Sequence, residues 1–166
     1  MTGAGLDEIE AVYRARLPEL RRVATAITGN REPGIDAVQD AFATAVHRRE
    51  QFRREGSLEG WLWRIVVHTA QSAAARASSR ATLSMPVEAP AESEGKTDVG
   101  LGELQALVRE LPERQRLVLF LHYYADLDYV AIADVLEISV GTVGATLNQA
   151  RRALRRLLDE VEVSSR

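Results

Sequence analysis

Polar side chains able to read or grip a nucleic acid recur at helical spacing near the C-terminus. A helix turns about 100° per residue, which puts Thr142, Ala145, Gln149, Arg152 and Arg156 on one side. A hydroxyl, an amide and guanidinium groups are the donors and acceptors that base edges and phosphates need. On the other side Val140, Val143, Leu147, Ala150, Leu154 and Leu157 recur at steps of three and four, as one continuous apolar stripe. Ser139 stands where an N-cap belongs, its hydroxyl placed to accept from free amides of the first turn. Just upstream, about Asp128 to Leu136 reads as a short helix with Val130, Ile132, Ala133 and Leu136 inward. A short helix, a tight turn and a longer helix ending in arginines form a helix-turn-helix arrangement.

A second group with binding chemistry lies mid-chain. Trp61, Arg64, His68 and Gln71 follow one another at steps of three, four and three, behind a basic loop, QFRREG at 51–56. Indole and guanidinium faces stack on bases, and amide or imidazole edges hydrogen-bond to them. Ser57 is the expected N-cap of this helix, which runs to about Ser79. Its remaining faces are Leu58, Leu62, Ile65 and Thr69, then Trp63, Val67, Ala70 and Ala74. A helix apolar nearly all round must be covered on several sides. A third group is acidic. In a helix from about 33 to 50, Val38, Ala41, Phe42, Ala45 and Val46 face inward, with Asp36, Asp40 and His47 outward. Two acids at i and i+4 repel each other, so the pair suits a cationic partner.

These groups must be held by helices, and composition agrees. Of 166 residues, 46% are hydrophobic, 27% charged and only 5% aromatic, typical of a helix-rich globular chain. There is no cysteine, hence no disulfide framework or thiolate metal site. His68 has no second histidine or acid at ligand spacing, and His47 and His122 are too scattered to form a catalytic group with a nearby nucleophile. Neither a Gly-rich phosphate loop nor a paired-acid catalytic spacing occurs. An enzyme, a resident metal, a cofactor and a small-molecule substrate are therefore not expected. No apolar run approaches the roughly 20 residues that span a bilayer, and MTGAGLDEIE lacks the order of a signal peptide. No membrane insertion and a cytoplasmic location are expected. The net charge of −3 argues mildly against a free-standing DNA binder, and Lys96 is the only lysine, so positive charge is clustered arginine.

The remaining chain supplies scaffolding. Leu6, Ile9, Val12, Tyr13 and Leu17 line a first helix over 6–17. Pro18 can open the next, with Leu20, Val23, Ala24 and Ile27 inward, ending at Gly29-Asn30. Residues 80–100, rich in Pro, Gly, Ser and acid, read as a flexible linker. Helix 101–110 and a helix from Pro112 to about Tyr124 precede the helix-turn-helix. The fold class is all-α: two small helical domains, 6–79 and 101–160, joined by the acidic linker.

The motifs resemble those of bacterial extracytoplasmic-function sigma factors (ECF, group IV of the sigma-70 family). LDYVAIADVLEISVGTVGATLNQARRAL is similar to the family's region 4 pattern at Leu127, Tyr129, Ile132, Ala133, Leu136, Ser139, Gly141, Thr142, Val143, Leu147, Ala150, Arg151 and Leu154. LPERQRLVLFLHYYADLDY resembles its lead-in. GSLEGWLWRIVVHTA looks like the region 2 signature, and GIDAVQDAFATAV like the region 2 core helix, at Asp36, Val38, Gln39, Asp40 and Phe42. The resemblance covers roughly 10–80 and 104–158.

It implies a transcription initiation factor that binds core RNA polymerase and directs it to promoters, rather than an enzyme. Asp36, Val38, Gln39, Asp40 and Phe42 would dock on the clamp helices of the largest subunit. Phe52, Arg53, Ser57, Trp61, Arg64, His68 and Gln71 would hold minus-10 DNA. Ser139, Thr142, Ala145, Thr146, Gln149, Arg151 and Arg152 would meet minus-35 DNA, with the C-terminal arginines also available to the polymerase flap. An anti-sigma factor is implied as a further partner. Departures bear on DNA reading. His68 replaces the usual asparagine, and only Arg76 and Arg80 stand where the family is more basic. Gly144, Thr146 and Gln149 replace cationic positions, so Ser139 to Ala150 carries no charge. Each lost phosphate contact lowers the salt slope of binding by about one. Glu137 stands at a usual turn glycine. The alternative is a sigma-like interaction protein that binds polymerase or a regulatory partner with weak promoter reading.

Overall fold

The computed structural model describes residues 3–83 and 106–164, with side chains described only to 80 in the first stretch. All regular structure among them is helical: α1 (Leu6–Thr28), α2 (Arg31–His47), a 3-10 turn (Arg49–Gln51), α3 (Leu58–Leu83), helical residues 106–110, α4 (Glu113–Tyr123), α5 (Tyr129–Leu136) and α6 (Val140–Ser164). The expected linker lies, from 84 onward, outside the described residues, as does the start of the expected helix 101–110. α3 itself runs to Leu83, past the expected end near Ser79.

α1 departs from expectation. One helix spans both predicted ones, with Pro18 inside it. Proline removes one amide donor, but Pro18 and Arg14 are both exposed, so water can satisfy the carbonyl left unpaired. Ile9 on one side of the proline and Leu20, Val23 and Ala24 on the other are buried, and that packing keeps the axis continuous. Gly29 closes the helix in the left-handed region (φ 80°), its amide donating to Thr25 O at 2.8 Å. α2 then starts at Arg31, two residues before the expected Pro33, which falls in the first turn where its missing amide costs nothing. Gly34 is where α1 and α2 cross: a Cβ there would lie 2.6 Å from Thr25 Cα.

α1, α2 and α3 pack mutually into the first unit. Its core holds Val38, Ala41, Phe42 and Ala45 of α2 with Leu62, Trp63, Val66, Val67 and Ala70 of α3. Tyr13 meets Phe42 edge-on at 4.4 Å. Val46, expected inside, is exposed at the end of α2.

In the second unit α4 and α5 both pack on α6. Asp128 caps α5, accepting from Ala131 N at 2.8 Å. Ile132, Ala133 and Val135 are buried, whereas Val130, expected inward, is 66% exposed. Only eight residues long, α5 turns Val130 to the outside in its first turn and Val135 to a neighbour in its last. Glu137 takes the left-handed conformation (φ 56°, ψ 44°) and Ile138 N donates to Ala133 O at 3.0 Å, which ends α5 and turns the chain into α6. The two units touch: α3 packs on α5, and α1 on α4. No single described helix is long and apolar enough to cross a membrane.

Candidate nucleic-acid interface

Helix α6 starts as its sequence requires. Ser139 Oγ accepts from Thr142 N at 3.1 Å and lies 2.7 Å from Thr142 Oγ1. The cap therefore also fixes the Thr142 hydroxyl beside it. Val143, Leu147 and Ala150 are buried, and Ala145, Gln149, Arg152 and Arg156 are exposed, as the helical rotation predicts. Two positions differ. Val140 is 45% exposed, because the first turn projects beyond the packed face. Thr146, expected at base edges, is only 6% exposed. α4 and α5 flank α6 together, so the buried sector is wider than one residue row and takes in Thr146 at its edge. It is a packing residue. Asn148, which the sequence reading left out of the DNA set, is exposed on the same helix; its signal is that it lies 60° from Ala145 in rotation.

The flank of α6 toward α5 is built around aromatic rings. The Tyr129 ring lies beside Gly144, where a Cβ would meet it at 3.6 Å, an ordinary van der Waals contact. Arg151 Nε donates to the Tyr123 hydroxyl at 3.0 Å, and the guanidinium lies 5.8 Å from that ring's centroid. The hydroxyl's acceptance holds the guanidinium pKa above its ordinary value. His122 packs edge-on against Tyr123 and Tyr129, and its Nδ1 is 3.1 Å from Leu127 O. This histidine is thus spoken for by structure.

In the first unit Ser57 caps α3, accepting from Gly60 N at 2.9 Å. Trp61, Arg64 and Gln71 are half-buried and His68 exposed, along one face. Phe52 is buried at 6% and packs on Trp61, centroids 5.5 Å apart. It was expected among the DNA contacts; instead it is the hydrophobic anchor of the loop, because the 3-10 turn before it directs the ring into the core. Arg53 is exposed. Arg54 adopts φ 56°, sending its side chain back to Gly3 O at 3.2 Å and Glu8 Oε2 at 2.9 Å. Glu8 Oε2 also accepts from Gly5 N at 2.7 Å, so one carboxylate starts α1 and moors the loop. Its pKa is lowered, first by the Gly5 amide and then by the Arg54 side chain.

On α2, Asp36, Gln39 and Asp40 are exposed, while Val38 and Phe42 are core. Only the three polar positions of that expected docking set are open to a partner; the two apolar ones shape the helix that carries them. No cluster of three metal-binding side chains occurs among the described residues.

A three-helix unit followed by a helix-turn-helix unit defines a DNA-binding transcription factor of two helical modules. The sigma-70 region 2 family model matches residues 12–80, and the sigma-70 region 4 model residues 101–154. The chain is 29% identical over 153 residues to the ECF RNA polymerase sigma factor SigM of Mycobacterium tuberculosis, covering 90% of this chain and 76% of the relative. To the RNA polymerase sigma factor YlaC of Bacillus subtilis it is 27% identical over 158 residues, covering 90% and 91%. Among solved structures, the sigma factor RpoE of Bartonella quintana, in complex with the anti-sigma factor NepR, superimposes with a TM-score of 0.77. That match has 21% identity and covers 93% of this chain and 98% of the other. CnrH, in complex with the cytosolic domain of CnrY, gives a TM-score of 0.72 at 21% identity, covering 95% and 91%. The chain belongs to the ECF sigma factors, alternative sigma factors that direct RNA polymerase to promoters.

Proposed function

We propose that the exposed Asp36, Gln39 and Asp40 of α2 dock on the clamp helices of core RNA polymerase. Arg53, Trp61, Arg64, His68 and Gln71 then take minus-10 bases, with Ser57 fixing the start of α3. Thr142, Ala145 and Gln149 meet minus-35 base edges, and Arg151 and Arg152 the phosphates. The C-terminal arginines also suit the polymerase flap. The factor works in the cytoplasm, without a reaction of its own, and is held off by an anti-sigma factor. Complexes of the structural relatives with NepR and CnrY support that last partner. The observation that carries the reading is the exposed face of α6, where a capped Thr142, Ala145, Gln149 and Arg152 lie in line.

One feature favours a second reading, polymerase binding with weak promoter recognition. The reading surface is uncharged from Ser139 to Ala150, and Thr146 is turned inward. Purified protein added to core polymerase, with transcription from a selected promoter library, separates the two. Enrichment of a common promoter sequence supports the first reading; stable core binding with no enrichment supports the second. In the same assay Asp40→Arg weakens core binding about tenfold, roughly 1.4 kcal/mol, because it sets a cation against a cationic partner, with helical content unchanged. Unchanged affinity would remove α2 from the docking surface.

A further inference from the structure

The apolar stripe of α6 outlasts the packing that covers its first half. Val143, Leu147 and Ala150 are fully buried. Leu154 continues their line, and Leu158 and Val161 stand within about 40° of it at 100° per residue. Yet Leu154 is only half-buried, Leu158 is 42% exposed and Val161 37% exposed. On one side of that line Ala153 and Leu157 still pack on the core. The other side is rimmed by charge. Arg155 and Glu162 are both exposed and stand about 100° and 80° from Leu154 in the same direction. Charge is also segregated along the helix, since Arg151, Arg152, Arg155 and Arg156 all precede Asp159, Glu160 and Glu162.

Such a segment is complementary to its own reversed copy. Two copies side by side in the same direction would set arginine against arginine and acid against acid, which is repulsive. Laid antiparallel about a two-fold axis, Arg155 of one copy faces the partner's Glu162, and symmetry forms the reciprocal pair, as an isologous contact requires. Leu158 then lies beside the axis, with Leu154 and Val161 to either side of it. The two ion pairs rim an apolar centre. Residues 154–164 make about 16 Å of helix, less than a standard interface needs, so the association is weak and depends on concentration.

We propose that the C-terminal end of α6, residues 154–164, is a docking surface for a second copy of this chain. The two copies pack antiparallel through Leu154, Leu158 and Val161, and Arg155 and Glu162 pair reciprocally. The dimer is self-limiting, because each copy's stripe is used up by the other.

The test is sedimentation equilibrium of the free full-length protein from about 10 µM to 1 mM, a range centred on the dissociation constant of order 100 µM expected for so small an interface. The mass of the wild type should rise with concentration toward that of a dimer and no further. Leu158→Asp, at an exposed position that leaves the core intact, should hold the chain at the monomer mass. Arg155→Glu and Glu162→Arg should each weaken self-association about fivefold, because each turns two exposed ion pairs of the dimer into repulsions. An equimolar mixture of these two variants should associate again, since each then meets the opposite charge on its partner. A wild type at the monomer mass throughout would overturn the proposal and leave the stripe to a different partner. Association that survives Leu158→Asp would overturn it by placing the contact elsewhere, and association indifferent to both charge reversals would overturn the antiparallel pairing.

Discussion

Phe52 and Trp61 pack with their rings 5.5 Å apart and tilted by 45°, tying the loop after α2 to the first turn of α3. Phe52 is the buried partner and Trp61 the half-buried one. The loop therefore has an apolar anchor beneath the face of α3 that carries Trp61. Phe52→Ala is expected to destabilise the first unit by about 3 kcal/mol, the low end for a buried Phe-to-Ala change. Urea unfolding followed by circular dichroism measures it. A loss below about 0.5 kcal/mol would mean the ring is not core.

The α1–α2 crossing depends on Gly34. A Cβ would stand 2.6 Å from Thr25 Cα and 2.7 Å from Thr25 N, backbone atoms that cannot swing aside. Gly34→Ala is expected to cost about 1–3 kcal/mol, although alanine is the better helix former by about 1 kcal/mol. The sign of the change in the melting midpoint decides between the two effects; stabilisation would show that the helices separate freely.

Glu137 sits in the left-handed region at φ 56°. Side chains with a Cβ are disfavoured there by roughly 1–2 kcal/mol, a strain that glycine escapes. Glu137→Gly is expected to raise stability by about 0.5–1 kcal/mol after glycine's greater freedom in the unfolded chain is subtracted. A lower denaturation midpoint would point to an unrecognised contact of the carboxylate.

Glu8 links stability to pH. Its folded pKa lies below the ordinary glutamate value of 4.5, through the Gly5 amide first and Arg54 second. A depressed carboxyl contributes stability that is present above the unfolded value and lost as pH falls through the folded one. Glu8→Gln should therefore flatten the fall in melting temperature on acidification below about pH 4.5. It should also loosen the loop through loss of the Arg54 pair. Parallel melting curves for wild type and variant would sink the assignment.

The helices and the exposed row of α6 were legible because they depend on local periodicity and capping. Ser57 and Ser139 each cap the helix that their position announces. Ala145, Gln149, Arg152 and Arg156 lie outward as a 100° rotation requires. The left-handed turn at Glu137 was foreseeable from the family's glycine. Less legible were residues at the edge of a face. Thr146 and Phe52 go inward and Val130 and Val140 outward, because burial there depends on how many neighbours flank a helix, which spacing along one chain does not encode. Pro18 lies within one helix for a similar reason: tertiary packing on both sides outweighs the local breaking signal.

Sequence alone determined that this is a sigma factor of the all-α class whose last helix begins with an uncharged run from Ser139 to Ala150, since periodicity, caps and the order of motifs are properties of the chain. Tertiary structure alone decided that Arg64 meets Asp134 across 70 residues, that Gly34 admits α1, and that Arg151 leans on Tyr123. Each of these depends on the relative placement of helices, set by summed packing over many side chains.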